Sequence, residues 1–446
     1  MQLNLYNKNL GGEFNITYKA FFEQQFGDKI YKYNYIFSNV TKFSGLKNSY
    51  ITQEPNHVAY NSIALLDYYQ NAKTVTEVAS NVKVLYVYGN AYQNRIASFK
   101  FNCSADIYLD NFSFTSPTGV DAITIQNGNS INLFTKGDIT IKAADGDSSN
   151  INGSNVIYGP NANLTILNNG KLKLISGFGY KGTDGISYSV TDYSGGSGRA
   201  ASGGAGTRGG NGGIGIDVNK LIISELHSVI EIYGGNGGIG GTGGDGQGSD
   251  KDDRPRAGDG GLGGIGGNGG NGIVVSINLE LNLNSNTIKV VAGNGGTGGN
   301  GGSGGYGKND HYSDSGGYGA NGGSGGNGGV AIVSTYINAN GGTANLIAQS
   351  GTGGDGGRGG NGGNAWYNYG KPTKGYGGDG GRGGNSGNGI QTNNYYYIES
   401  LNLSVTVGAA GNGGIQGQNG GGGDAHEATR TPVPGSRGSI GSKFCS

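Results

Sequence analysis

The side chains best placed to do chemistry in this 446-residue chain are polar and aromatic residues that interrupt long glycine-rich runs. Adjacent carboxylates such as Asp252 and Asp253 are the residue type that glycoside hydrolysis uses as acid and base or nucleophile. Nothing around them distinguishes a catalytic pair from loop charge, so the reading is non-enzymatic. His57, His227, His311 and His426 are too scattered to form a zinc signature. The segment GGTGGDGQ at 240–247 follows the calcium-binding nonapeptide only through Asp245, because Gln247 stands where an aliphatic residue belongs. Runs of GGX match fragments of phosphate-binding loops by chance, without a strand–loop–helix context. Cys103 and Cys445 are too few for a disulfide scaffold and lack metal-ligand spacing. No cofactor and no metal are expected.

What remains is contact chemistry. The breaks between glycine runs read ISYSVTDYSGGSGRAAS, with Tyr188 and Tyr193, and QGSDKDDRPRA, with Asp250, Asp252, Asp253 and Arg254. The next holds Tyr306, His311 and Tyr312 around GKNDHYSDSGGYG. NAWYNYGKPTKGYG carries Trp366, Tyr367, Tyr369 and Tyr376, and DAHEATRTPVPGSRG carries His426 and Arg430. Tyr and Trp give rigid contact area while Ser, Asn and Gly adapt, which is the composition of a paratope. Aromatic faces beside Asp and Asn also suit sugars. The competing reading is that loop ends are polar and aromatic for solubility and packing alone.

The elements that must hold these residues are unusual. Residues 1–176 contain 12 of the 99 glycines, and residues 177–446 contain the other 87. Seven prolines are too few for collagen. Thirty basic residues balance thirty acidic ones, so no global field would recruit nucleic acid or an anionic membrane. No apolar run is long enough for a spanning helix, and MQLNLYNKNLGGEF lacks the pattern of a secretory signal.

Residues 1–115 read as a small α+β module. Tyr31, Tyr33, Tyr35 and Phe37 alternate as a strand would, as do Val82, Val84 and Tyr86. Ile63, Leu66 and Tyr69 in SIALLDYYQNA have helical spacing. From residue 116 the chain repeats a unit of about 20 residues with three short strands, as in a parallel β-solenoid. Ile123/Ile125, Ile131/Leu133 and Ile139/Ile141 form one set, and Val156/Tyr158, Leu164/Ile166 and Leu172/Leu174 the next. Beyond residue 177 similar sets start at Ile216, Ile273, Ile332 and Ile390, 57, 59 and 58 residues apart. They close with Ile230/Ile232, Ile288/Val290, Leu346/Ala348 and Val405/Val407. The glycine tracts are insertions at one corner, with Asn236, Asn294, Thr352 and Asn412 in equivalent places.

Each insertion has an outgoing and a returning leg of GGX triplets joined by a polar, aromatic tip. A period of three with two glycines fits a polyproline II helix, which has no internal hydrogen bonds and needs partners for its N–H and C=O groups. Ordering glycine costs roughly 1–2 kcal/mol per residue, so only a bundle templated by stacked turns could stand. Outgoing legs are expected in one layer, returning legs in another, with X residues facing outward or between layers.

GGNGGIGGTGGDG and GGLGGIGGNGGNG, interrupted by variable loops, resemble the tail-fibre tip adhesins of T-even-like bacteriophages. The resemblance covers residues 177–446 and implies a polyproline II sandwich, tip loops that bind a receptor on the host outer membrane, and an N-terminal fibre-attachment domain. The expected fold is therefore mainly β: an α+β module at 1–115, β-solenoid turns at 116–176, and turns with glycine arms at 177–446. The expected function is a non-enzymatic adhesin on a virion or other extracellular particle, with a host surface protein or glycan as partner and a carrier fibre held by the N-terminal module. Neither nucleic acid nor membrane insertion is expected. A self-assembling structural subunit is the rival. An ice-binding face is weaker, since the X positions are mainly Asn, Asp, Ser and Ile rather than a Thr array.

Overall fold

The computed structural model describes residues 18–26, 29–37, 51–52, 62–67, 76–78, 80, 82–88 and 95–445, except 190–199, 226–228, 250–255, 284–286, 308–314, 341–342, 366–371, 400 and 422–429. Among the described residues there is no helix, and the fold is mainly β. Two parallel sheets dominate. The wider one places Ser130–Lys136, Ile157–Asn169, Ile216–Glu225, Ile273–Asn282, Ile332–Asn340 and Ile390–Glu399 side by side in chain order. The narrower one does the same with Ile139–Lys142, Lys171–Ile175, Val229–Tyr233, Thr287–Val291, Asn345–Gln349 and Asn402–Thr406.

The chain visits the two sheets alternately, so every strand pairs with its counterpart one repeat away. Ile216, Ile273, Ile332 and Ile390 stand in one register row, as their sequence intervals require. Alternate residues point inward and meet their own kind above and below. Ile131, Leu164, Leu221, Leu279 and Ile337 form one such column, and Ile139, Leu172, Ile230, Ile288 and Leu346 another. All are fully buried in a single core. Each contributes about 1.5–3 kcal/mol by leaving water.

Several expectations are corrected. Ser62–Asp67 is a strand paired in parallel with Val82–Tyr88, not the start of a helix. The apolar run IALL satisfies a period of two as well as of 3.6, and a neighbouring strand decides between them; the rest of SIALLDYYQNA lies outside the described residues. The inward residues of Val82–Tyr88 include Leu85 and Val87. Both sheets cross the boundary expected near residue 115, through Ala105–Asp110 and Phe114–Thr115. In the second repeat it is Ile157, not Val156, that stands over Ile123, and Tyr158 faces outward. Gly159 takes the next inward place, where a Cβ would come within 2.9 Å of Ile125 Cβ. The last pair is Leu403/Val405 rather than Val405/Val407.

The glycine tracts are neither helix nor strand, yet nearly every glycine N–H in them, and about half of those of the X residues, donates a hydrogen bond to another leg. In the triplet 356–358, Gly356 N–H donates to Asn412 O (2.8 Å) on the next outgoing leg. Gly357 N–H donates to Gly323 O (2.8 Å) on the preceding returning leg. Arg358 N–H donates to Asn300 Oδ1 (3.0 Å) on the preceding outgoing leg. The same three directions recur throughout. Legs of one kind run parallel to each other, and outgoing and returning legs run antiparallel and interleave from Gly177 to Gly438.

The third direction was not foreseen. Asn, Asp and Ser at X are not merely outward-facing, because their side-chain oxygens accept the N–H of the X residue one leg further on. Asn236 serves Asn294, which serves Thr352; on the returning side Asn211, Asn268, Asn327 and Asn385 form a continuous chain ending on Ser439. The counterpart of Thr352 is Ala409, with Asn412 one triplet further, facing Asp355.

Close approach explains the paired glycines. A Cβ on Gly356 would lie 1.9 Å from Gly381 O, and one on Gly357 2.0 Å from Gly299 O. Where a leg has no such neighbour, side chains return: Tyr180, Thr183 and Ile186 fill the second-glycine place of the first outgoing leg, and the less regular first arm is that leg. Ala320 is an interior exception near the arm ends, where its bond to Gly302 O is 3.0 Å.

Gly357→Ala is therefore expected to cost about 3 kcal/mol, at the upper end of overpacking penalties, whereas Arg358→Ala on the same triplet stays within about 0.5 kcal/mol. Chemical denaturation of both variants compares them, and equal stabilities would refute the close-approach argument. Asn300→Ala, which removes the acceptor of Arg358 N–H, is expected to cost about 1 kcal/mol and to speed hydrogen exchange at that amide. Unchanged exchange there would remove the side-chain ladder from the account.

Candidate functional site

Four of the residues singled out by sequence are described, and the structure brings two of them together. Tyr376 occupies an X position on a returning leg next to the arm ends. Arg430 precedes the next returning leg, where the Asn419 carboxamide bridges Gly377 N–H (2.9 Å) to Arg430 O (3.4 Å). Tyr318 holds the place of Tyr376 one leg earlier, since Gly319 N–H donates to Tyr376 O (2.9 Å) and Gly260 N–H to Tyr318 O (2.8 Å). Their rings stack at 3.9 Å with 18° between planes. The Arg256 guanidinium covers the outer face of Tyr318 at 4.0 Å, and Arg430 lies 5.6 Å from the Tyr376 ring. The result is a row of guanidinium, phenol, phenol, guanidinium across four returning legs.

Two carboxylates fix its ends. Asp379 pairs with Arg430 and also accepts Val433 N–H (3.0 Å). Asp259 accepts Tyr318 N–H (2.8 Å) and lies 3.6 Å from Arg256 Nη2. Each is at once a rung of the backbone ladder and a partner for an arginine. Cation–π contact and ring stacking are worth about 0.5–1.5 kcal/mol apiece, and each holds a large side chain in one place before any ligand arrives. The row contains no nucleophile with a base beside it. What it can do is present rigid aromatic and guanidinium surface.

Tyr306 and Tyr188 lie on the outgoing layer, away from this row. Tyr306 is 64 % exposed and anchored only through its carbonyl, which accepts Ser249 N–H (2.9 Å). Tyr188 is half-buried and donates its N–H to Asp245 O (3.1 Å). Tyr193, Asp250, Asp252, Asp253, Arg254, His311, Tyr312, Trp366, Tyr367, Tyr369 and His426 lie outside the described residues. Sequence reasoning missed Arg256 and Tyr318. The available signal was the G-Y-G motif recurring at 58 residues, around Tyr318 and Tyr376.

Titratable groups elsewhere do not assemble a reactive centre. Among the described residues no three His, Cys, Asp or Glu side chains gather as a metal set, and no helix is long and apolar enough to cross a membrane. Burial raises the pKa of Asp106, Asp121 and Asp217, which lie on the sheet strands and their connections. Asp121 offsets part of this by accepting Asn155 N–H (2.7 Å), whereas Asp217 gains only the repulsion of Asp121. Burial likewise raises the Cys103 thiol. No protein-family model, no curated protein and no solved structure matches the chain.

An acid whose folded pKa is raised binds its proton more tightly when folded, so its contribution to stability is present at low pH and lost as pH rises through the folded value. Asp217→Asn should thus stabilise the protein at pH 7, and the gain should vanish below the ordinary carboxyl value of 3.8. Thermal unfolding of both proteins from pH 3 to 7 checks this. A gain that is constant across the range would show that the charge is not the cause.

Proposed function

We propose that the protein is a non-enzymatic adhesin that contacts a cell-surface receptor, protein or glycan, with the ends of its glycine arms. In this reading the parallel strands are turns of a β-solenoid and the glycine legs are polyproline II helices, raised from the solenoid as a rigid bundle. The carrier would be a virion tail or another extracellular particle, held by the N-terminal residues.

The observation that carries the reading is the Arg256–Tyr318–Tyr376–Arg430 row. Large amphipathic side chains are costly to order, and here they are ordered in advance at the place where the legs turn. Aromatic and arginine residues dominate binding hot spots, and preorganisation lowers the entropy lost on association. The bundle gives such a row no internal purpose, since its backbone partners would be equally served by Asn, as at Asn321 one triplet away. The structural-subunit reading draws support from Leu262 and Ile265, half-exposed on successive triplets of one returning leg.

Tyr318→Ala with Tyr376→Ala should lower binding of the labelled protein to receptor-bearing cells at least tenfold, with its circular dichroism retaining the polyproline II signature and its thermal transition moving little. Cell binding equal to that of the parent would exclude the row as the contact. Concentration-dependent assembly that Leu262→Asp with Ile265→Asp abolishes, in a protein that binds no cells, would favour the subunit reading.

A further inference from the structure

A second surface feature lies at the root of the arms, where the outer face of the narrower sheet meets the first triplets of the outgoing legs. An open cleft of about 360 Å³ runs there between two rows of side chains. One row is the last outward residue of successive strands, Ile175, Tyr233, Val291 and Gln349. The other consists of the first X residues of the legs, Phe178, Asn236 and Asn294. Gly234, Ala292 and Ser350 line the cleft between them, and their small size opens it. It falls within the range of small-ligand sites.

Donors predominate among the polar groups of this cleft, beside the mixed carboxamide of Gln349. Asn236 Oδ1 accepts Asn294 N–H and Asn294 Oδ1 accepts Thr352 N–H, so each carboxamide keeps both Nδ2 protons to give and one lone pair of its oxygen. Ser350 Oγ accepts Gly408 N–H (2.9 Å), which leaves its hydroxyl proton to give. Lys173 Nζ stands 5.2 Å and Lys289 Nζ 5.9 Å from the Tyr233 ring centre. Lys173 lines the cleft and Lys289 stands at its margin, two strands away across Glu231, whose carboxylate lies near Lys171 (3.8 Å) and the Tyr233 hydroxyl. Neither Lys173 nor Lys289 forms an ion pair within 4.0 Å among the described residues. Burial, then the Glu231 carboxylate, keep the Tyr233 phenol protonated. Phe178, 46 % exposed, supplies an open aromatic face at one end. Donors and positive charge thus meet an apolar wall, with the acceptors of Asn236, Asn294 and Ser350 partly used by the fold.

We infer that this cleft binds an acidic oligosaccharide, one carboxylate held by Lys173 in its lining and another reaching Lys289 at its margin, its ring oxygens and hydroxyls held by Asn236, Asn294 and Ser350, and one sugar face against Phe178. The site is separate from the arm ends and does not require them to bind a receptor. Isothermal titration of the full chain with α-1,4-linked trigalacturonate tests it, with maltotriose as the neutral counterpart of the same length. Binding of the acid and not of maltotriose is expected. Lys173→Gln with Lys289→Gln should weaken it at least tenfold and Phe178→Ala several-fold. Arg358→Gln, which removes an exposed cation on an arm, should leave it unchanged. Absence of binding at millimolar trigalacturonate would overturn the inference. So would equal binding of maltotriose, or equal weakening by Arg358→Gln, which would reveal attraction to charge in general. Tyr318→Ala with Tyr376→Ala keeps the two proposals apart: it should abolish cell attachment and leave the trigalacturonate isotherm intact.

Discussion

Glycine tracts that make no hydrogen bonds within a leg must find a partner outside it for every buried N–H, and the whole architecture follows from that requirement. A triplet offers three donors, and the structure sends them in three directions: forward within a layer, backward across layers, and backward within the layer onto a side chain. The first two demand glycine, because carbonyl oxygens occupy the space of a Cβ at both positions. The third is made where the preceding leg carries Asn, Asp or Ser at X. The repeat is thus a statement about acceptors as much as about small size.

Such a lattice is poorly suited to stand alone. Fixing the three residues of a triplet costs about 3–6 kcal/mol of backbone entropy, and up to three hydrogen bonds return about 1.5–4.5 kcal/mol net. The deficit is small for each triplet and accumulates along a leg. The columns of Ile, Leu and Val in the strands supply what is missing, since burial there is worth about 1.5–3 kcal/mol for each side chain. They also set the geometry. Ile216, Ile273, Ile332 and Ile390 in one row hold the legs at the spacing of adjacent strands, which is the spacing a hydrogen bond between neighbouring legs requires.

Much of this was legible in the sequence, for identifiable reasons. Spacings of 57 to 59 residues between apolar sets report strand register directly, because a parallel partner must present the same side chain to the same column. Misreadings occurred where identity was silent. Gly159 occupies an inward place without an apolar side chain, so the alternation around it slips by one. At Ser62–Asp67 four successive apolar residues carry no period, and only the strand beside them decides. The asparagine ladder was invisible for a different cause: an exposed Asn on a repeat resembles solubilising surface unless the unpaired third N–H is counted. Tyr318 was overlooked although it closes the break GKNDHYSDSGGYG as Tyr376 closes NAWYNYGKPTKGYG, because only their stacking in the folded chain sets the pair apart from the other tyrosines.

The ladder also bears on what the exposed faces can recognise. Because one oxygen of each Asn and Asp in the ladder accepts a backbone amide, an Asn there shows solvent two donors and a half-used oxygen, and an Asp a half-used oxygen and a free one. A surface that looks mixed by composition is therefore biased in its free groups, toward donors wherever Asn predominates. At the arm root, with Asn236 and Asn294 beside two ammonium groups, the bias is strong. At the arm ends Asp259 and Asp379 reverse it locally, each spending one oxygen on the ladder and turning toward an arginine. The same backbone requirement that forces glycine into two places of the triplet thus biases the third toward Asn, Asp and Ser. Exchanging Asn for Asp at X would therefore change the charge of an exposed face while leaving the scaffold an acceptor for each bond it makes there.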